Sequence, residues 1–143
     1  MTEVTVDDDV FARGEPFYAD GELAGWSTSP AFLVVCADVD RGAAAVHAAG
    51  QRMYYVNEHG LEFPAEEDDG RYYNPSWVSD VYLTGTGVAI YVDTKGDTTR
   101  RMGETMIAIL IEELTERGVA AHIAAPGRLD PELPVWTPPG ATH

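Results

Sequence analysis

The run "AFLVVCAD", residues 31–38, is apolar without interruption, is of strand length and is rich in β-branched residues. A run of that kind fits a strand covered on both faces, so it predicts the centre of a sheet and not its border. After it, Asp40 is placed to cap a helix over 41–59, in which Val46, Ala49, Met53 and Val56 recur at three and four residues and Gly60 supplies a left-handed stop. Gly42 and Gly50 count against that helix, each costing about 1 kcal/mol relative to alanine in a helix interior.

Residues 61–76 show no helical period and carry Pro, Gly and Asn-Pro punctuation, which reads as a long loop or a loop with a small hairpin. "WVSDVYL" and "VAIYVDT" then flank the turn "TGTG", the pattern of a β-hairpin. Alternation turns Trp77, Val81, Leu83, Val88, Ile90 and Val92 inward and Asp80, Tyr82, Ala89, Tyr91 and Asp93 outward. The clearest helix covers 98–117: Met102, Met106, Leu110 and Leu114 form an i, i+4 series with Ile107 and Ile111 beside it, Glu112, Glu113 and Glu116 lie opposite, and Gly118 ends it. A last short strand, "VAAHIAA", faces Val119, Ala121 and Ile123 inward.

Strand, helix, strand, strand, helix, strand is the order of an α+β, ferredoxin-like βαββαβ sandwich: a four-stranded antiparallel sheet with two helices on one face. It spans 31–126, between an acidic N-terminal arm (1–30) and an extended, Pro-rich C-terminal tail (127–143). Phe11, Phe17, Tyr18 and Trp26 give the arm reason to pack along the domain or a partner. A chain of 143 residues suits this single domain. No apolar run approaches the roughly 18 residues of a membrane helix, and the acidic N-terminus has no secretory pattern, so the expected location is cytoplasmic with no membrane partner.

The formal net charge is −15, unevenly spread: residues 1–30 carry −6 and residues 61–70 carry −5. That argues against nucleic acid as a partner, because phosphate contacts need Lys and Arg. Concentrated carboxylates fit a recognition surface better than an acidity adapted to salt, which spreads over every face. The candidate partner-binding residues are accordingly Asp7, Asp8, Asp9, Glu62, Glu66, Glu67, Asp68 and Asp69.

"VDTKGDTTRRMGE", residues 92–104, tests as a phosphate cradle and fails, since a P-loop sets a second glycine directly before its lysine and here Lys95 precedes Gly96. A strand-to-helix junction is the simpler reading; Lys95, Arg100 and Arg101 remain as a candidate anion site, because arginines in a first turn oppose the helix dipole. The consecutive acids Glu66, Glu67, Asp68 and Asp69 lack the spacing of a calcium loop, and His47, His59, His122 and His143 lack any zinc spacing, so no metal and no cofactor is expected. No catalytic set is recognisable. Cys36, the only cysteine, reads as a buried inert thiol. Tyr82, Tyr91 and His122 project from the outward sheet face as a candidate interface. The leading expectation is a non-enzymatic acidic interaction module for a basic protein, of inhibitor or immunity-protein type with nucleic-acid mimicry. The alternatives are a structural subunit of a homo-oligomeric or virus-like assembly, and a small-molecule-binding or enzymatic domain.

Overall fold

The apolar run at 31–35 is flanked by a strand on each side, as its composition predicts. The structure is a computed structural model, and the residues it describes are 3–8, 10, 16–19, 22–26, 31–53, 55–56, 59–62, 79–92, 98–125 and 133–137. In chain order the elements are β1 (Val4–Val6), β2 (Pro16–Ala19), β3 (Glu22–Trp26), β4 (Ala31–Val35), α1 (Val39–Met53), β5 (Ser79–Leu83), β6 (Gly87–Val92), β7 (Thr98–Thr99), α2 (Arg100–Glu116), β8 (Ala121–Ala124) and β9 (Val135–Trp136). A six-stranded open sheet has the order β1-β8-β4-β6-β5-β9, and a small second sheet has the order β2-β3-β7.

Among the described residues the structure is thus mixed α+β with two helices, and the expectation of a four-stranded ferredoxin-like sheet is not confirmed because the sheet has six strands. The two additional strands come from the segments read as arm and tail. β1 pairs in parallel with β8, Val4 beside Ala121 and Val6 beside Ile123. β9 pairs antiparallel with β5, and the Pro134 carbonyl accepts from Leu83 N at 2.8 Å. Proline is tolerated there because it stands just before the first residue of the strand, where the ladder ends.

Register puts Phe32 beside Ile90, Val34 between Val88 and Ile123, and Val81 beside Ile90, all on one face of the sheet. These side chains are buried in one core with Val46, Ala49 and Met53 of α1 and Met106, Ile109, Leu110 and Leu114 of α2. Each large apolar side chain taken fully from water contributes about 1.5–3 kcal/mol. The opposite face is less deeply covered: Leu33 and Val35 are half-buried. Ala89, read as outward, is 0% exposed, since it is small and stands in register between Leu33 and Tyr82. Trp136 lies on the helix side, its ring centroid 5.7 Å from that of His47 on α1. Burial lowers the His47 pKa. The neutral ring is therefore the one that packs; its contribution is full above the unfolded value of about 6.5 and is lost as pH falls from there through the folded value.

Local chemistry sets the helix ends. Asp38, two residues before Asp40, caps α1 by accepting from Arg41 N at 3.2 Å. The helix stops at Met53, well short of 59, and Val56 instead forms a bridge with Glu62. At the far end of α2, Gly118 has φ +68°, and Val119 N donates to Leu114 O at 2.9 Å while Gly118 N donates to Thr115 O at 3.0 Å. That is the paired closure of a Schellman turn, as the glycine predicts.

Gly42 is buried in the first turns of α1, and a Cβ built there would lie 2.5 Å from Cys36 Sγ. The glycine that weakens the sequence reading of this helix thus makes room for a buried thiol. Gly42→Ala is expected to destabilise the protein by about 1–3 kcal/mol. In a Cys36→Ala background the same change should be neutral or stabilising by up to about 1 kcal/mol. Urea unfolding of the four proteins measures this, and strictly additive effects would contradict the packing account.

Candidate functional site

Two side-chain networks stand out among the described residues, and each absorbs a carboxylate that the sequence offers to a partner. The first centres on Arg52, in the last turn of α1, where a cation is favoured by the dipole. Its Nε donates to Glu62 Oε2 at 2.7 Å and its Nη2 to Glu62 Oε1 at 2.8 Å, a two-pronged bond that suits the planar guanidinium. Nη2 also donates to Glu112 Oε2 at 2.8 Å and Nη1 to Glu113 Oε2 at 3.1 Å. The other oxygen of Glu113 accepts from Arg117 Nη1 at 2.9 Å. The hydrogen bond with Glu62 holds the guanidinium above its already high ordinary pKa; burial opposes that, and the bonds with Glu112 and Glu113 reinforce it.

The helical pattern sets Glu113 with Glu112 and Glu116 on the polar side, yet it is only 8% exposed. The reason is spacing: it follows Ile109 by four residues and Leu110 by three, which returns it to the buried stripe. A buried carboxylate needs partners, and Arg52 and Arg117 supply them. Glu62 reaches Arg52 because the turn before it is docked on α2. Gly60 has φ +77°, its carbonyl accepts from Thr105 Oγ1 at 2.7 Å, and a Cβ there would sit 2.6 Å from the Arg101 carbonyl oxygen. Gly60 is left-handed as expected, but as part of this turn and not as the stop of α1. An open depression of about 600 Å³ adjoins the network, lined by Arg52, Ile111, Glu112, Glu113, Thr115 and Glu116.

The second network joins the first strand to the last strand of the expected core fold. His122 Nε2 lies 2.6 Å from Asp7 Oδ1, and His122 Nδ1 lies 2.7 Å from Thr5 Oγ1. With the ring proton on Nε2, the imidazole donates to the carboxylate and accepts from the hydroxyl. A hydroxyl, an imidazole and a carboxylate in line are also the parts of an activated nucleophile. Here the His122 and Asp7 side chains are each 41% exposed, and Thr5 and His122 sit in register on paired strands. The arrangement therefore acts as a clamp across the parallel β1–β8 pair. Neither the Asp7–His122 contact nor the Arg52 hub has a signature in the sequence, since both join residues far apart in the chain.

Of the candidate partner-binding acids, Asp7 is engaged with His122, Glu62 with Arg52, and Asp8 is exposed. Asp9, Glu66, Glu67, Asp68 and Asp69 lie outside the described residues. The structure does not gather Asp7 and Glu62 into one site; each closes a different network. On the sheet face, Tyr82 is half-buried beside Ala89, His122 belongs to the clamp, and Tyr91 is described by its backbone in β6 alone. In the candidate anion site, Arg100 Nε pairs with Glu104 at 2.9 Å, which compensates its charge at the positive end of the dipole. Arg101 is exposed and Lys95 lies outside the described residues. Thr99 caps α2 by accepting from Met102 N at 3.2 Å, and β7 leads directly into the helix while pairing with β3. Among the described residues no cluster of three or more His, Cys, Asp or Glu is placed to hold a metal, and no helix is long and apolar enough to cross a membrane.

Arg52→Leu leaves Glu113 with one partner in place of two, and is expected to cost about 1–3 kcal/mol in urea unfolding. Arg100→Leu breaks an exposed i, i+4 pair and should cost about 0.5 kcal/mol or less; equal losses would refute the ranking. Burial, and secondarily the charge of Asp38, raise the Cys36 pKa. The thiol should therefore resist iodoacetamide at pH 8 in the folded protein and react promptly in denaturant, as mass spectrometry would follow.

Comparison with known proteins gives no match: no family model fits the chain, and neither a curated protein sequence nor a solved structure aligns with it significantly.

Proposed function

We propose that the protein is a non-enzymatic acidic interaction module whose partner is a basic protein, in the manner of an inhibitor or immunity protein. The observation that supports this most directly is the pairing of its own cations. Arg41, Arg52, Arg100 and Arg117 are all engaged with carboxylates of the same chain. Glu3, Asp8, Asp40 and Glu116 form no ion pair among the described residues. An excess of uncompensated carboxylate on a chain of net charge −15 produces a negative field that steers cationic proteins and repels nucleic acid. For the fold, the inner strand order β8-β4-β6-β5 with two helices supports reading the domain as an elaborated ferredoxin-like sandwich.

Partners captured at low salt and identified by mass spectrometry are to be purified and their association rates measured against ionic strength. A basic partner whose association slows about tenfold or more between low and physiological salt is the expected result. Replacing Glu66, Glu67, Asp68 and Asp69 together with serine should slow it further. A partner of neutral or acidic character, or a rate indifferent to both salt and the fourfold change, would overturn the reading.

A further inference from the structure

We propose that the outer edge of β1, which no described strand covers, receives an extended, lysine- or arginine-bearing segment of the partner by strand addition, an inference that rests on the basic-partner reading and specifies where and how such a partner docks. The hydrogen bonds of β1 define which backbone groups are open. Ala121 N donates to Glu3 O at 3.0 Å and Asp7 N donates to Ile123 O at 2.9 Å. In a parallel ladder of that phase the odd residues of β1 bond β8, and the N–H and C=O groups of Val4 and Val6 point away from it. β1 is the terminal strand of the sheet, and no strand lies beyond it among the described residues. Val6 is 37% exposed and Glu3 and Thr5 are exposed.

The two edges of the sheet are built differently. β9 is two residues long and stands between prolines 134 and 138 in the sequence, features that blunt an edge. β1 reads Val-Thr-Val, with no proline and no lysine, and has a carboxylate at either end. Those carboxylates select the occupant. In a twofold antiparallel pair of β1 strands, Glu3 of one copy would oppose Asp7 of the other, which disfavours a second copy. A cationic strand turns the same positions into attraction. The alternation of β1 matches this in detail: Glu3, Thr5 and Asp7 face one side of the sheet, and Val4 and Val6 face the core side, where Val4 packs. The complementary segment alternates Lys or Arg with a β-branched apolar residue. Main-chain bonds supply affinity and the alternate side chains supply selectivity.

The test uses the full-length protein and the peptide acetyl-Lys-Val-Lys-Val-Lys-Val-amide as probe, with amide hydrogen exchange followed by NMR. At millimolar peptide the exchange of the Val4 and Val6 amides should slow by about tenfold or more. Of two analogues, one N-methylated on its lysines and one on its valines, at least one should lose the effect, and the Glu-for-Lys peptide should not bind. Absence of protection, or protection that both methylated analogues reproduce, would overturn the proposal. So would protection of Val4 and Val6 that grows with protein concentration alone, which would assign the edge to a second copy. A basic partner that binds with the expected salt dependence yet leaves these two amides unchanged would sink this inference and leave the basic-partner reading standing.

Discussion

Antiparallel pairing of β4 with β6 on one side and β8 on the other is the constraint on which the rest of the structure depends. It sets Phe32 and Val34 in register with Ile90, Val88 and Ile123, and so makes one continuous apolar face from three strands distant in the chain. Both helices exist largely to cover that face. Their isolated stability is marginal at this length, and packing of the apolar stripe supplies what propensity does not. Gly42 illustrates the order of priority: helix propensity yields there to the space that Cys36 needs beneath it.

Features carried by short-range pattern were readable in the sequence. β4, the 79–92 hairpin, α2 and its glycine stop follow from apolar run, turn residues and i, i+4 spacing, and they stand close to where those signals put them. What failed did so where tertiary pairing overrides local signal. Three residues of β1 and two of β9 are too short for periodicity to register, and each exists because a neighbouring strand offers an unpaired edge. Asp40 has the chemistry of a cap, but Asp38 has the position, and position is decided by where β4 ends. Glu113 shows the same limit: a charged residue in a run of glutamates looks solvated until Arg52 and Arg117 arrive from elsewhere in space.

Acidity in this protein divides into two kinds with different physics. Glu62 and Glu113 are structural: each is hydrogen-bonded to an arginine and ties together elements remote in sequence. Removing them alters folding before it alters any field. Glu3, Asp8 and Glu116 are exposed or at the rim of the α2 depression, where charge acts over about a Debye length. Net charge alone does not distinguish the two. The hydrogen-bond geometry does, and it moves the centre of interest from the sheet face with Tyr82 to the border of the sheet at β1.

The parallel pairing of β1 with β8 has a bearing on biosynthesis. A ribosome makes residue 4 well over a hundred residues before residue 123 leaves the exit tunnel, and β1 lacks its neighbouring strand until β8 is outside. During that interval Val4 and Val6 belong to an unpaired tether beside a growing, incompletely closed sheet. Closing so long a loop is slow. The Asp7–His122–Thr5 clamp can be assembled only once β8 has emerged, so it reports closure of the β1 border of the sheet.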